Sequence, residues 1–204
     1  VPVHGLVEAT DGSMVYFIRR FDRAGQGERL PLEDGAQLLG HTRDTKYDSS
    51  MEKVVAMIDR FCTFPVIEKR KLMQRVWFCF LTGNEDMHLK NWSLLSRSGR
   101  VVLSPAYDLL NTSIILKNPQ EETALPIRGR KRNLSRRDLL EYLAVERCGL
   151  PSDLMRADLE KLLAQAESEW PAKIQSSFLS EPKREAYLAL VYERVARMRS
   201  QKAS

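Results

Sequence analysis

The chain has 204 residues, of which 43% are hydrophobic and 29% charged, and its formal net charge is +5 at pH 7. This length and apolar content suffice to bury a substantial core, so we expect one compact unit. No apolar run approaches the roughly 20 residues that cross a membrane, and no signal-peptide pattern opens the chain, so we expect a soluble, unexported, cytoplasmic protein.

The chain opens with a predicted β-hairpin. Residues 3–9 and 14–20 are β-prone runs, and the Asp11-Gly12 pair between them is a strong hairpin signal. A two-stranded hairpin is only marginally stable in water, so we expect these strands to belong to a larger sheet and the chain to be a carboxy-terminal piece. Residues 23–27 have the composition of a flexible connector.

The pattern then becomes helical. Residues 32–39 suit a short helix that ends at Gly40, and residues 41–50 are polar and loop-like. A second helix is predicted from Ser50 to about residue 61. Residues 66–82 form the most apolar helix, whose second half is hydrophobic on every side, and such a helix is normally central and buried.

Short strands and further helices are predicted in the rest of the chain. Residues 92–95 and 100–103 are two β-prone segments joined by a turn. Residues 111–132 lack periodicity and are predicted to form a long loop, which in a compact domain is more often functional than idle. The remaining predicted helices lie near residues 136–148, 152–169, 173–178 and from 181 onward.

The cysteines and the basic residues add little chemistry. Cys62, Cys79 and Cys148 stand singly, without the paired spacing of a zinc or redox motif, and are predicted to be buried free thiols in a reducing compartment. The densest basic cluster comprises residues 128–132 and 136–137. Most such clusters are solvated surface, and contact with nucleic acid or a charged partner is the less favoured alternative.

The candidate chemistry lies between the apolar helix and the long loop. Residues 84–91 read Asn-Glu-Asp-Met-His-Leu-Lys-Asn, and residues 104–108 read Ser-Pro-Ala-Tyr-Asp. Asp108 follows the predicted strands, so Asn91 and Asp108 could converge on Mg²⁺ through oxygen ligands while Asp86 stays free. Protein kinases use this spacing to hold a metal–nucleotide complex for phosphoryl transfer.

Two neighbouring side chains extend this pattern. His88 makes the motif D-x-H-x-x-N, which is similar to that of lipid and other atypical kinases, and Lys90 could reach a phosphate oxygen. Taken singly, an aspartate or asparagine in a turn usually bonds its own backbone, and His88 and Tyr107 would be structural. The joint pattern favours a kinase-type site over these separate explanations.

These motifs closely resemble the HipA-like serine/threonine kinases, which are toxins of bacterial toxin–antitoxin systems. The resemblance runs from about residue 15 to residue 144. The segments that carry it are residues 20–23, 29–34, 46–47, 84–93 and 105–108.

The resemblance implies a role for each candidate residue. It implies that Asp86 is the catalytic base and that Asn91 and Asp108 bind Mg²⁺. The residues that it places around ATP are Arg19, Arg20, Phe21, His88, Lys90, Asn91, Tyr107 and Asp108. Family members commonly have glutamate in place of Arg19. At this position the resemblance therefore implies only backbone contacts to adenine.

The resemblance also implies the architecture and the partners. The fold is expected to be α+β and mostly α, with residues 31–204 as a protein-kinase-like C-lobe that carries a small catalytic β-hairpin. Residues 1–30 are expected to be a remnant of N-lobe strands and the interlobe segment. The family's phosphate-covering loop and strand lysine are expected upstream of Val1, so the fragment itself is predicted to be weak or inactive.

The implied partners are a helix-turn-helix antitoxin like HipB, DNA through that antitoxin, and a protein substrate phosphorylated on serine, such as an aminoacyl-tRNA synthetase. Two other functions stay open. One is a non-catalytic kinase-like module that binds an antitoxin or DNA complex. The other is a small-molecule or lipid kinase that uses the same D-x-H-x-x-N arrangement.

Overall fold

The computed structural model describes residues 1–25, 27–116 and 121–200. The fold is α+β and mostly helical, as predicted. None of the helices in these ranges combines the length and the apolar character needed to span a bilayer.

The predicted amino-terminal hairpin is present. Strands β1 (His4–Glu8) and β2 (Met14–Ile18) pair antiparallel, and Gly12 adopts a φ of +80° in the turn between them. Apolar side chains project from both faces of this hairpin, and β2 is exposed along its whole length. The hairpin therefore buries little of its own apolar surface.

The predicted flexible connector is instead part of a second small hairpin. Strand β3 (Arg23–Ala24) pairs antiparallel with β4 (Glu28–Arg29), and residue 26 lies outside the described residues. Gly25 and Gly27, which lie between the two strands, have φ values of +48° and +92°, a range that glycine adopts without steric cost.

The prediction of helix from residue 32 is wrong for its first three residues. Strand β5 (Leu32–Asp34) pairs antiparallel with β6 (Ser93–Arg97), which in turn pairs with β7 (Arg100–Leu103). Helix α1 (Gly35–Leu38) begins only after Asp34, whose side chain caps it. The local sequence suits a helix, but the first N–H groups of a helix have no partners within it. Pairing with the edge of β6 gives the backbone of these three residues hydrogen-bond partners instead.

The helical body agrees more closely with the sequence. Helices α2 (Met51–Phe61) and α3 (Pro65–Thr82) are followed by a π-helix at Arg137–Arg147, and then by α4 (Ser152–Ser168), α5 (Trp170–Gln175) and α6 (Glu181–Arg199). Helix α5 starts three residues earlier than predicted, with Pro171 inside its first turn, where a missing N–H costs nothing.

Helix α3 is the centre of the core. It packs against α2, α4, α6, the π-helix and β7, and Leu72, Met73 and Trp77 on it are fully buried. The indole Nε1 of Trp77 donates a hydrogen bond to the carbonyl of Leu139 at 3.2 Å. The prediction of a central, buried helix is confirmed, and the polar motif follows directly from its end.

The three cysteines are buried and free, as predicted. The described parts of the predicted loop, residues 111–116 and 121–132, contain no helix or strand apart from one bridge between Ile127 and Arg130, and residues 117–120 lie outside the described residues.

Candidate active site

The catalytic loop, which we define as residues 84–91, begins where α3 ends. Gly83 has a φ of +70° and turns the chain out of the helix. The next side chain, Asn84, is buried, and its Oδ1 accepts a hydrogen bond from the Asp86 amide at 3.1 Å. Its Nδ2 donates to the Asp108 carbonyl at 3.2 Å. Asn84 therefore joins the two sequence segments that carry the predicted site.

The two predicted Mg²⁺ ligands lie side by side. Nδ2 of the buried Asn91 donates to Asp108 Oδ2 at 3.1 Å and to the Asp86 carbonyl at 2.9 Å. These two bonds assign the orientation of the amide and leave its oxygen as the potential ligand atom. Asp108 is exposed and has a φ of +55°. An amide oxygen beside an exposed carboxylate suits Mg²⁺, which takes few protein oxygens and completes its shell with phosphate and water.

The carboxylate of Asp86 is held by a residue that was not among the predicted site residues. The hydroxyl of Tyr47 donates to Asp86 Oδ1 at 2.7 Å. Burial, reinforced by the neighbouring carboxylate, raises the pKa of Tyr47 to about 12, so the hydroxyl remains a donor. The only sequence signal for Tyr47 was its place in the short Lys46-Tyr47 segment of the family resemblance.

His88 faces the same loop. Its Nε2 lies 2.8 Å from Lys46 Nζ, and its ring meets that of Tyr47 edge to face at 5.1 Å. Burial, partly offset by Asp86, lowers the pKa of His88, so the imidazole is neutral near pH 7. Because the lysine ammonium donates, Nε2 accepts and the ring proton is assigned to Nδ1. That nitrogen is buried and has no hydrogen-bond partner among the described residues, so a phosphate oxygen could accept from it only after the side chains around the imidazole move.

Lys90 points to a different partner from the predicted one. Its Nζ forms an ion pair with Asp34 Oδ2 at 2.5 Å, and its side chain is 40% exposed. The expected phosphate contact would require Lys90 to exchange this partner. Asp34 lies 56 residues away in the chain, so sequence spacing gave no sign of the pair.

Tyr107 connects the catalytic loop to a cleft. Its hydroxyl donates to the Lys90 carbonyl at 2.5 Å and contacts Ser93 Oγ at 2.5 Å. Its ring lies 5.6 Å from that of Phe21. The cleft has a volume of about 320 Å³, and the predicted nucleotide-binding residues among its lining are Arg19, Arg20, Phe21 and Tyr107. Two aromatic rings in a mostly apolar cleft suit a flat base.

The structure thus gathers the predicted residues other than Lys90 into two adjoining groups. Asp86, His88, Asn91 and Asp108 form the polar group, and Arg19, Arg20, Phe21 and Tyr107 line the cleft. Tyr107 and Asp108 are consecutive, so the two groups are joined through the backbone.

Much of the predicted basic cluster is paired within the chain. Arg130 forms an ion pair with the fully buried Asp138, Lys131 pairs with Glu121 at 3.3 Å, and Arg136 pairs with Glu160 at 2.9 Å. These pairs use charges that a nucleic-acid surface would leave free, so they support the interpretation of this cluster as ordinary protein surface.

Comparisons with known proteins identify the family of this chain. The family model of the HipA-like C-terminal domain matches residues 1–170. Y4dM of Sinorhizobium fredii, named as a kinase, is 34% identical over 156 residues, which cover 74% of this chain and 38% of that protein. The serine/threonine-protein kinase toxin HipA of Shewanella oneidensis is 28% identical over 117 residues, covering 48% of this chain and 27% of that protein. In these alignments the chain spans less than two fifths of the length of either relative.

Two solved structures share the fold. HipA of Shewanella oneidensis, in a complex with HipB and operator DNA, has a TM-score of 0.76 at 21% identity, covering 99% of this chain and 55% of that one. The Helicobacter pylori proinflammatory kinase CtkA has a TM-score of 0.58 at 16% identity, covering 97% of this chain and 74% of that one. Both are kinase-like folds, so the predicted fold class is confirmed.

Proposed function

Because the chain belongs to the HipA-like C-terminal domain family, we propose that it carries the catalytic loop of a kinase that transfers the γ-phosphoryl group of ATP to a protein serine or threonine. The family relationship supports a kinase-like protein, and the arrangement of the site residues supports phosphoryl transfer as its reaction. The single observation that carries the proposal is the Asn91 amide, which bonds both the Asp86 carbonyl and the Asp108 carboxylate.

Each residue of the polar group has a role in this proposal. The Asn91 amide oxygen and the Asp108 carboxylate would hold Mg²⁺, and His88 Nδ1 would donate to a phosphate oxygen. Bound Mg²⁺ and ATP would supply the phosphoryl group and neutralise the charge that develops during its transfer. Asp86 would orient the substrate hydroxyl and accept its proton.

The cleft would take the nucleoside. Phe21 and Tyr107, whose rings contact one another, would together form an apolar wall against the adenine, and the backbone of residues 19–21 would offer it hydrogen bonds. We assign residues 1–30 to strands of an N-lobe with the interlobe segment, and residues 31–204 to the C-lobe. Lys90 would act on a phosphate only after leaving Asp34.

The proposed partners follow the relatives. HipA of Shewanella oneidensis was solved with HipB and operator DNA, so we propose a helix-turn-helix antitoxin for this protein, with DNA contacted through that complex. An aminoacyl-tRNA synthetase is the first substrate to try, because the family resemblance suggests it. We place the reaction in the cytoplasm.

The decisive experiment replaces Asp86 in the intact gene product. Asp86→Gln replaces the base with a neutral amide that is one methylene longer, so transfer of ³²P from labelled ATP to protein is expected to fall by roughly a hundredfold or more. Calorimetry should give an Mg–ATP affinity within about threefold of the wild type, since the metal ligands are unchanged. The matched control is Asp153→Gln on α4, which should transfer normally.

Three outcomes would contradict the proposal. Undiminished transfer by Asp86→Gln would remove Asp86 from catalysis. Absence of Mg²⁺-dependent ATP binding by the wild type would favour a non-catalytic module that binds an antitoxin or DNA complex. Label found in a small molecule or lipid, with none in protein, would favour a kinase of another substrate class.

A further inference from the structure

Residues 41–50 lie between α1 and α2 and contact the catalytic loop. We call them the covering segment. Its last residue, Ser50, caps α2 by accepting from the Lys53 amide, which fixes the segment at that end. In its middle, the Lys46 carbonyl accepts a hydrogen bond from the Leu89 amide at 3.1 Å. The backbone of this covering segment is therefore joined to the short 3₁₀ turn, Leu89–Asn91, that carries one predicted Mg²⁺ ligand.

Two consecutive side chains of the covering segment reach two different residues of the catalytic loop. Tyr47 donates to the Asp86 carboxylate at 2.7 Å, and Lys46 Nζ lies 2.8 Å from His88 Nε2. The rings of Tyr47 and His88 are also in contact, at 83° to one another. One short segment thus contacts both side chains that the proposed function places nearest the transferred phosphoryl group.

The hydrogen bond from Tyr47 affects which oxygen of the Asp86 carboxylate is available to a substrate hydroxyl. A carboxylate that is free to rotate about its χ2 bond offers either oxygen to an incoming hydroxyl. The Tyr47 hydroxyl occupies Oδ1, so Oδ2 is the oxygen that remains for a substrate. Tyr47 stays protonated across the physiological range because burial raises its pKa to about 12.

The Lys46 contact bears on which nitrogen of His88 carries the proton. An ammonium group can only donate, so the nitrogen that it contacts must accept. The proton is thereby kept on Nδ1, the buried nitrogen without a partner among the described residues. If Lys46 were apolar, the proton could move to Nε2 and Nδ1 would become an acceptor, which repels a phosphate oxygen.

We propose that Tyr47 and Lys46 are positioning residues of the phosphoryl-transfer site, Tyr47 by orienting the Asp86 carboxylate and Lys46 by fixing the tautomer of His88. This inference rests on the proposed function. Neither residue needs to touch the nucleotide or the substrate for it to hold. Both act through a neighbour, so their loss should affect the rate of transfer more than the binding of ATP.

The test uses Tyr47→Phe in the intact gene product. This change removes one hydroxyl and keeps the ring against His88, so the melting temperature should not move by more than about 2 °C. The rate constant kcat should fall roughly tenfold or more, because a poorly oriented base loses near-attack geometry. The KM for ATP and the Kd for Mg–ATP should stay within about twofold. The matched control is Tyr192→Phe, an exposed tyrosine on α6, which should leave all four quantities unchanged.

Lys46 is tested by a pair of variants. Lys46→Met removes the donor and is expected to lower kcat roughly tenfold. Lys46→Arg supplies another obligate donor at the same position, so it should recover a substantial part of that loss. A role confined to structural support would not distinguish an arginine from a methionine in kcat alone.

The outcomes separate this inference from the proposed function. If the wild type transfers phosphate and Tyr47→Phe has the wild-type kcat, the role of Tyr47 is overturned while the proposed function stands. If Tyr47→Phe lowers kcat only together with ATP affinity and melting temperature, the contact is structural and the positioning role is again overturned. If the wild type itself fails to transfer phosphate, the proposed function falls, and the inference falls with it.

Discussion

Gly83 is the residue at which the buried helix α3 becomes the catalytic loop. Its carbonyl accepts backbone hydrogen bonds from Thr112 and Ser113, so the turn also holds the segment that follows Asp108. A Cβ atom built on Gly83 would lie 2.5 Å from Leu190 Cδ2 and 2.8 Å from Ser113 Oγ. The position therefore combines a left-handed backbone conformation with close packing on both sides.

We expect Gly83→Ala to destabilise the protein by about 2–4 kcal/mol, since backbone strain and overpacking add at this position. The control is Gly99→Ala, which has a similar φ of +71° but nothing within 4 Å of the added atom. It should cost only about 1 kcal/mol. Chemical denaturation of both variants measures the difference, and equal losses would show that packing around Gly83 contributes nothing.

At the scale of single residues, the site residues are easier to identify from the sequence than the side chains that they contact. The convergence of Asn91 and Asp108 could be predicted because a fixed spacing and a hairpin bring them together. The pairing of Lys90 with Asp34 could not, since the packing of β5 beside the catalytic loop decides it. Tyr47 was missed as a site residue for the same reason, because its contact with Asp86 spans 39 positions.

At the scale of elements, α3 and the segment after β7 are linked by one buried cation. Arg75 Nη2 donates to the Ser104 carbonyl at 2.5 Å, and the guanidinium lies over the ring of Trp92 at 5.5 Å. Arg75 is 9% exposed, and burial lowers its pKa to about 10. Helix α3 thereby holds the start of the segment that ends in Asp108.

We expect Arg75→Met to weaken Mg–ATP binding roughly tenfold, because Ser104 loses its donor and Asp108 is no longer fixed relative to Asn91. Stability should change by only about 1 kcal/mol, since removal of a poorly paired buried charge offsets the lost bond. The control is Arg70→Met on the same helix, which breaks an ion pair with Asp158 outside the site. Calorimetry should find its affinity unchanged, and equal affinities for the two variants would refute the link.

The elements themselves were largely predictable, with one instructive exception. Helices α2, α3 and α6 start at a cap or proline that the sequence displays, and the hairpin β6–β7 follows a clear turn composition. Strand β5 was predicted as helix because its three residues are too few to show a period. Only the remote strand β6 decides its conformation, and single-sequence patterns contain no information on that pairing.

At the scale of the whole molecule, burial is unevenly distributed. The helical body encloses a continuous core around α3, whereas β1 and β2 pair only with one another in the described sheets. Their apolar side chains, including Tyr16 and Phe17, are about half exposed. The expectation from the sequence that these strands belong to a larger sheet stays a prediction, since the described sheet contains β1 and β2 alone.

We expect backbone amides of β1 and β2 in this 204-residue chain to exchange with deuterium at least about a hundredfold faster than those in the middle of α3. Local opening of the hairpin exposes little new apolar surface, whereas exchange in α3 requires the core to open. Mass spectrometry of peptic fragments measures both segments in one sample, and helix α2 provides a second protected reference. Equal protection of the hairpin and α3 would mean that packing beyond the β1–β2 pairing stabilises the strands.

The buried indole of Trp92 makes it a fluorescence reporter for the catalytic loop, alongside the emission of Trp77 and Trp170. Its Nε1 donates to the Met87 carbonyl at 3.2 Å, so its electronic environment includes the backbone between Asp86 and His88. The side chain is 1% exposed and lies against the Arg75 guanidinium, a charge that shifts indole emission. Any ligand that moves this loop should therefore change the intrinsic fluorescence of the unlabelled protein, which makes occupancy and kinetics of the site accessible by stopped flow.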